Sequence, residues 1–287
     1  MDHAPVLIIT ATFNGAAFIE DAIRSVQQQT HSHWTLVVAD DGSTDATPEI
    51  VTRLQAAYPR IRLLRLARNS GRPAVPRNCA LDHALGERIP FDFLAYLDSD
   101  DAWLPTKLET HLRILLAQPA VGLVYARCIR HVGSGRPRRV TRLHVRGLAG
   151  LLVFSHISLS SVVLRRASVE PFFPLFDEDT HVRAMEDTEL WLRLITAGVR
   201  VHGTLEDELV YRVSPQSISH VTFSEAVRRV LYLYARILMK APSIPFSVVA
   251  LATALKVANY AVRSLREGRS RPGGRHPTLA RPVGANG

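Results

Sequence analysis

Apolar runs and helix-period segments alternate through the first half of the chain. Val6-Leu7-Ile8-Ile9-Thr10 is a continuous apolar stretch of the kind buried on both faces of a parallel sheet, and Asn14-Gly15 turns the chain after it. Phe18, Ile19, Ala22, Ile23 and Val26 then share one helix face. The unit repeats. Trp34 to Ala39 predicts a second strand, Asp40-Asp41-Gly42-Ser43-Thr44-Asp45 a turn rich in capping residues, and Ile50, Val51, Leu54 and Ala57 a second helix face. Ile61 to Leu66 predicts a third strand, and Asn69-Ser70-Gly71-Arg72-Pro73 breaks the chain before a short helix around Arg77 to Leu85. The fourth strand, from Phe93 to Leu97, ends abruptly in Asp98-Ser99-Asp100-Asp101. Pro105 then suits the first turn of a helix carrying Leu108, Leu112 and Leu115, and Val121 to Ile129 reads as another strand.

The second half is less regular. Gly133 to Arg139 reads as an exposed loop, Ile157 to Leu164 as a strand, Glu189 to Ala197 as a helix closed by Gly198, and Val199-Arg200-Val201 as a short strand. Beyond Phe223 the pattern is helical, with Val227, Val230, Leu231, Tyr234 and Leu238 as one apolar stripe before Pro242 and Pro245 interrupt it. Phe246 to Val262 is apolar except for Lys256 and small polar residues, short for a membrane span, with a lysine in its middle. An interfacial helix and a helix packed on protein both fit it.

Strands alternating with helices predict an α/β fold with a mostly parallel, Rossmann-like sheet, helices on both faces, and a helical C-terminal extension. The expected division is a domain over residues 1–222, with a nucleotide-binding half at 1–130 and an acceptor half at 131–222. A helical extension at 223–266 and a disordered basic tail at 267–287 complete it.

Charge changes this picture only at the C-terminus. Of the net +9, six arginines and one glutamate from Arg263 onward account for +5, leaving +4 for the rest of the chain. Nucleic acid is therefore not the expected partner, whereas peripheral membrane contact through residues 246–287 is. The N-terminus shows no basic, apolar leader, so the expected location is cytoplasmic, at the inner face of the cell membrane. Cys79 and Cys128 have no metal-like spacing, and the twelve histidines form no His-Glu-x-x-His, which disfavours a zinc enzyme.

The candidate chemistry lies in three acidic sites: Asp40-Asp41, Asp98-Ser99-Asp100-Asp101 and Glu186-Asp187. Each has a plain structural alternative, since carboxylates cap helices and complement the positive end of the helix dipole. The first two, however, follow predicted parallel strands, and ligands of open α/β sheets bind in the crevice outside the carboxyl ends of the strands. Clustered acids there suit a hard cation held by oxygen ligands.

The ordered set Ala11-Thr12-Phe13-Asn14, Asp40-Asp41-Gly42-Ser43-Thr44-Asp45, Asn69-x-Gly71 with Arg77-Asn78-x-Ala80, Leu97-Asp98-Ser99-Asp100-Asp101 and Glu186-Asp187-x-Glu189-Leu190-Trp191 resembles the family 2 inverting glycosyltransferases of the GT-A fold, over residues 5 to 220. The resemblance implies a metal-dependent enzyme that moves a sugar from a UDP- or dTDP-sugar to an acceptor hydroxyl on a sugar, polysaccharide or lipid-linked acceptor. Thr12, Phe13, Asp40, Asp41, Arg77 and Asp98 would line the nucleotide, and Asp100 with Asp98 would hold Mg²⁺ or Mn²⁺. Asp187 would be the general base. Its place at a helix N-terminus suggests a carboxylate kept ionised and only weakly basic. Two departures bear on specificity: Ala11 and Phe13 stand where the family usually has Pro or Thr and Tyr, and no histidine directly follows Tyr211-Arg212. Ser217, Ser219 and His220 are candidates for a loop closing over the diphosphate.

A haloacid-dehalogenase-like phosphotransferase also uses a strand followed by Asp-x-Asp, but in its first strand rather than its fourth. A non-enzymatic nucleic-acid- or membrane-binding protein acting through the basic tail is the remaining alternative.

Overall fold

The computed structural model describes residues 3–132, 138–139, 152, 157–213, 222–240 and 245–269. Among these, nine strands form one sheet. β1 (Val6–Thr12), β2 (Trp34–Asp40), β3 (Ile61–Arg65) and β4 (Phe93–Tyr96) are its parallel part, in the order β3-β2-β1-β4. Their crossovers contain α1 (Ile19–Gln27), α2 (Thr47–Ala57) and α3 (Ala74–Gly86). Side chains alternate along β1 with the period of a strand. Val6 and Ile8 face a core shared with α1, α2 and α4 (Lys107–Ala117); Leu7 and Ile9 face the core of α3 and the C-terminal helices. Covering both faces explains why β1 and β4 are apolar without a polar side, whereas β3, at the edge, exposes Arg62 and Arg65.

The sheet then changes direction. β8 (Val162–Arg165) runs antiparallel between β4 and β6 (Val121–Val132), and β6 pairs parallel with β9 (Arg200–Val213). The two-residue β5 (Ala102–Trp103) closes the edge against β9, and β7 (Arg138–Arg139) pairs with β6, inside the stretch expected as an exposed loop. β9 corrects the expectation of a three-residue strand. Thr204, Glu206 and Asp207 interrupt its apolar pattern, and register shifts against β6 absorb the irregularity.

A short α5 (Arg166–Val169) follows β8, and α6 (Glu186–Thr196) begins three residues before the expected Glu189, so Glu186 and Asp187 lie in its first turn. α7 (Phe223–Lys240) and α8 (Phe246–Arg269) pack on each other and on the α3 side of the sheet. Of the stripe expected on α7, Val230 and Tyr234 are buried, but Leu231 is 51% exposed, and Leu233 and Ile237 complete the packed face. α8 continues to Arg269, into the stretch expected as a tail; residues 270–287, and with them most of that tail, lie outside the described residues, as do Ser217, Ser219 and His220. No helix among the described residues is long and apolar enough to cross a membrane.

Candidate active site

The crevice begins where β1 and β2 end side by side, with Thr12 opposite Asp40 and the Asp41 N–H donating to the Thr12 carbonyl at 2.8 Å. The loop after β1 is fastened to the loop after β2 through its backbone: Asn14 N–H donates to Ser43 Oγ (2.8 Å), Gly15 N–H to Thr47 Oγ1 (2.9 Å) and Ala16 N–H to Asp45 Oδ2 (3.0 Å). Asp45 also accepts from the Thr47 N–H two residues on, at 3.0 Å, a local turn that leads the chain into α2. A Cβ on Gly15 would lie 2.4 Å from Thr12 Oγ1 and 3.5 Å from Ser99 Oγ, which shows how closely this loop approaches the acidic rim. Gly42, at φ +75°, lets the chain pass Arg68 and Asn69, where a Cβ would come within 2.7 Å of backbone.

Asp40 has no exposed surface. Its carboxylate accepts from the Ser43 N–H at 3.2 and 3.3 Å and faces Arg65 Nε at 3.6 Å, so it holds the turn. Asp41 takes both the N–H (3.1 Å) and the Oγ–H (2.8 Å) of Ser70, drawing in the loop before α3. Burial holds its carboxyl above the ordinary aspartate range despite those bonds. Thr12 is buried, while Phe13 is 46% exposed at the mouth.

The acidic rim follows β4. The Asp98 N–H donates to Ser160 Oγ at 3.0 Å, and Ser160 in turn gives its carbonyl to Trp103 Nε1 at 2.7 Å, fixing the turn against the strand that follows. Asp100 is pushed up to about 6 by burial and then by the neighbouring Asp98 charge. Asp101 is fully buried and raised well above the carboxylate range by burial and by the same two acids, although its Oδ1 accepts the Arg212 N–H at 3.1 Å. The pairing of β5 with β9 is what delivers Tyr211 and Arg212 here. Burial, followed by the charges of Asp101, Asp98, Asp100 and Asp187, pushes the Tyr211 phenol up to about 12. One hydroxyl therefore feels all four acids.

The third acidic site joins through Arg77. This guanidinium, buried on α3, donates to Asp98 Oδ1 at 2.7 Å and to Glu186 Oε1 at 3.0 Å. It also lies 5.3 Å above the ring of Phe176. Glu186 and Asp187 begin α6, so a single side chain on α3 ties the end of β4 to the start of a helix 109 residues beyond Arg77 itself. Asp187 Oδ1 accepts the Thr188 N–H at 2.6 Å. Burial and then the Glu186 charge push the Asp187 carboxyl up to about 6. This overturns the expectation of a weakly basic carboxylate at a helix dipole: desolvation outweighs the dipole, and the result is a better proton acceptor.

Of the expected residues, Arg77, Asp98, Asp100 and Asp187 lie together at one rim, and Thr12, Phe13, Asp40 and Asp41 lie at the neighbouring ends of β1 and β2. Arg77 was expected beside the nucleotide as a positive charge; its guanidinium is committed to two carboxylates. Tyr211, Ser160 and Glu186's tie to Arg77 had no separable signal in the sequence, because each depends on which strands become neighbours.

Among the described residues, no group of three or more His, Cys, Asp or Glu side chains is arranged to hold a metal by itself. The donor set nevertheless suits a hard cation of the Mg²⁺ type, which keeps waters and takes one or two carboxylates plus substrate phosphates instead of an all-protein cage. Asp100, crowded by Asp98 and protonated more readily than an ordinary aspartate, would be held ionised by such a charge.

Comparison with known proteins agrees with this geometry. Residues 7–170 match the sequence model of glycosyl transferase family 2. Over 239 residues the chain is 33% identical to WfgD of Escherichia coli, described as a UDP-Glc:alpha-D-GlcNAc-diphosphoundecaprenol beta-1,3-glucosyltransferase, covering 80% of this chain and 85% of that one. It superposes on S. aureus TarS 1-349 in complex with UDP-GlcNAc with a TM-score of 0.66 at 17% identity, covering 92% of both chains. It also superposes on the mannosyltransferase PcManGT from Pyrobaculum calidifontis, in complex with GDP-Man and Mn²⁺, with a TM-score of 0.62 at 19% identity, covering 94% of this chain and 76% of that one. The last two likenesses are of fold.

Proposed function

The chain belongs to glycosyl transferase family 2, and from that premise we propose that it transfers a sugar from a UDP- or dTDP-sugar to a hydroxyl of a lipid-linked acceptor, inverting the anomeric carbon. The setting is the synthesis of a cell-surface polysaccharide or glycolipid at the inner face of the membrane. The observation that carries this is the Arg77 bridge, 2.7 Å to Asp98 and 3.0 Å to Glu186, which sets the acidic rim and the Asp187 helix around one crevice.

Each residue has a distinct task. Thr12, Phe13 and Asp41 line the nucleoside, with a carboxylate accepting the N3–H of uracil or thymine, while Asp40 braces the turn. Asp98 and Asp100 would hold Mg²⁺ or Mn²⁺, which, when bound, neutralises charge on the diphosphate leaving group. Asp187 takes the proton of the acceptor hydroxyl as that oxygen attacks the anomeric carbon from the side opposite the diphosphate, and the carbon inverts. Base catalysis of this kind contributes about 10²–10⁴-fold. Arg77 keeps Asp98 and Glu186 from repelling one another and so preserves the distance between leaving group and base. Residues 1–130 are the donor half and 131–222 the acceptor half.

A lipid-linked acceptor fits the C-terminal helices, where Leu231, Met239, Phe246, Leu251 and Leu255 are exposed and arginines follow in the sequence at 263, 266 and 269. Membrane contact through residues 246–287 would bring the site to such an acceptor. WfgD's name, which specifies UDP-Glc and a diphosphoundecaprenol acceptor, supports the same choice.

The experiment is a transfer assay with purified protein, a panel of UDP- and dTDP-sugars, and a diphosphoundecaprenol-linked sugar, with Mn²⁺ or with EDTA. A UDP- or dTDP-sugar should be consumed with inversion, and EDTA should stop turnover. Turnover undiminished by EDTA would remove the metal from the proposal, and use of a purine-nucleotide donor alone would remove the pyrimidine assignment.

A further inference from the structure

The stretch of chain that leads into α6 is gripped from two sides. On one side Asn78 of α3, itself buried, donates through Nδ2 to the Phe176 carbonyl at 2.8 Å and to Glu178 Oε1 at 2.9 Å, while its Oδ1 accepts the Phe176 N–H at 3.1 Å. Arg72, just ahead of that helix, donates to the Glu178 carbonyl at 2.8 Å. On the other side stand Arg229, Tyr232 and Arg236, spaced three and four residues apart on one face of α7. Arg236 donates to Asp177 Oδ2 at 2.5 Å and to Asp179 Oδ2 at 3.3 Å, the Tyr232 hydroxyl donates to Asp179 Oδ2 at 2.6 Å, and Arg229 donates to the Arg183 carbonyl. The His181 ring stacks on Tyr232 with centroids 4.8 Å apart, and its Nδ1 lies 2.8 Å from Asp179 Oδ1.

Both ends of the gripped stretch reach the rim. Phe176 packs edge-on against Tyr96 of β4, with 5.1 Å between centroids, and lies under the Arg77 guanidinium that bridges Asp98 and Glu186. At the other end Ala184 has φ +62°, a left-handed conformation that its Cβ disfavours, just before Glu186 and Asp187. Such a residue persists only where its surroundings fix it. The Arg229 bond to the preceding carbonyl and the Met185 N–H on the Val182 carbonyl, at 2.8 Å, do so.

We infer that Arg236, Tyr232 and Arg229 are positioning residues for glycosyl transfer: from α7 they hold residues 176–184, so that Phe176 supports Arg77 and the start of α6 presents Asp187. The helix expected as part of a C-terminal extension is then a working part of the active site. This rests on the reading of the rim and of Asp187 given above. The three residues act through the stretch that they hold, not on the substrate.

The test uses the full chain, the transfer assay described above and amide hydrogen exchange. Arg236→Met should speed exchange of the Phe176 N–H by about tenfold and leave that of Ile8 in β1 unchanged. It should lower kcat by about tenfold with the donor KM within about twofold of wild type, and Arg236→Lys should recover part of the loss. Asp177→Asn should also lower kcat, and the double variant should be little worse than Arg236→Met alone, because both substitutions remove one contact. Tyr232→Phe, which deletes a single hydroxyl, takes the place of Arg236→Met if that variant does not fold. Unchanged exchange at Phe176, an unchanged kcat in a folded variant, or losses in log kcat that simply add would each overturn the inference. If the wild-type protein transfers no sugar, the proposed reaction fails, while the exchange rates still decide whether α7 holds this stretch.

Discussion

Asp100 illustrates a residue whose cost to the free protein is part of its use. Its carboxyl titrates near 6 in the folded chain instead of about 3.8, so between those values the folded state binds more protons than the unfolded one. Stability contributed by the protonated acid is therefore lost as pH rises through roughly 4 to 6 and stays lost above. Asp100→Asn should stabilise the ligand-free protein at pH 7 by on the order of 1 kcal/mol, discounted for its partial exposure, or about 2–4 °C in Tm. The gain should shrink toward pH 4, and Mn²⁺-dependent nucleotide affinity should fall. Thermal melts at both pH values and a binding titration check this; a variant less stable at pH 7, with unchanged affinity, contradicts it. The position of this acid was legible in the sequence, because a strand ending in carboxylates is recognisable by pattern. Its shifted titration was not, since burial and the Asp98 charge arise only when β5, β9 and the loop after β4 come together. The same limit explains Asp187, where the helix dipole visible in the sequence loses to a desolvation that is invisible there.

At the scale of elements, α3 and α6 are held to the end of β4 by one guanidinium. Removing it leaves two carboxylates without their cation, a change that costs about 3–5 kcal/mol when the site is buried. Arg77→Met should lower urea stability by that amount, and Arg77→Lys should recover only part of it, because a point charge on a flexible stem does not bridge two acceptors as a planar fork does. Equal stability of Arg77→Met and wild type would show that the bridge is incidental. The parallel units from β1 to β4 were readable residue by residue, since Val6 to Thr10 and Trp34 to Ala39 are apolar on both faces. β9 was not. Its stretch from Thr204 to Glu208 is polar but for Leu205 and carries register shifts against β6, while the regular pairing with β6 and β5 lies on either side of it along the chain. α7 was legible in part: Val230 and Tyr234 are buried as their spacing indicates, while the core takes Leu233 in place of Leu231.

For the whole molecule, the division of labour follows from topology. The parallel part of the sheet brings the loops after β1, β2 and β4 to one edge, where the proposed donor would bind, and the reversal through β8, β6 and β9 returns Tyr211, Arg212 and α6 to the same rim. α7 and α8 extend this body on the α3 side, with Lys256 turned inward and Leu251 and Leu255 outward. The order of acidic motifs along the chain was enough to suggest a single crevice; the Arg77 bridge, joining side chains 109 positions apart, is the physical reason that it is single. The central claim is that the rim binds the donor while Asp187 acts on the acceptor. Its most direct measurement is Asp187→Asn, assayed for donor affinity by calorimetry and for transfer to the lipid-linked acceptor. Donor Kd should stay within about twofold while kcat falls by about 10²–10⁴-fold. Transfer within about tenfold of wild type, with the donor still bound, would contradict the account.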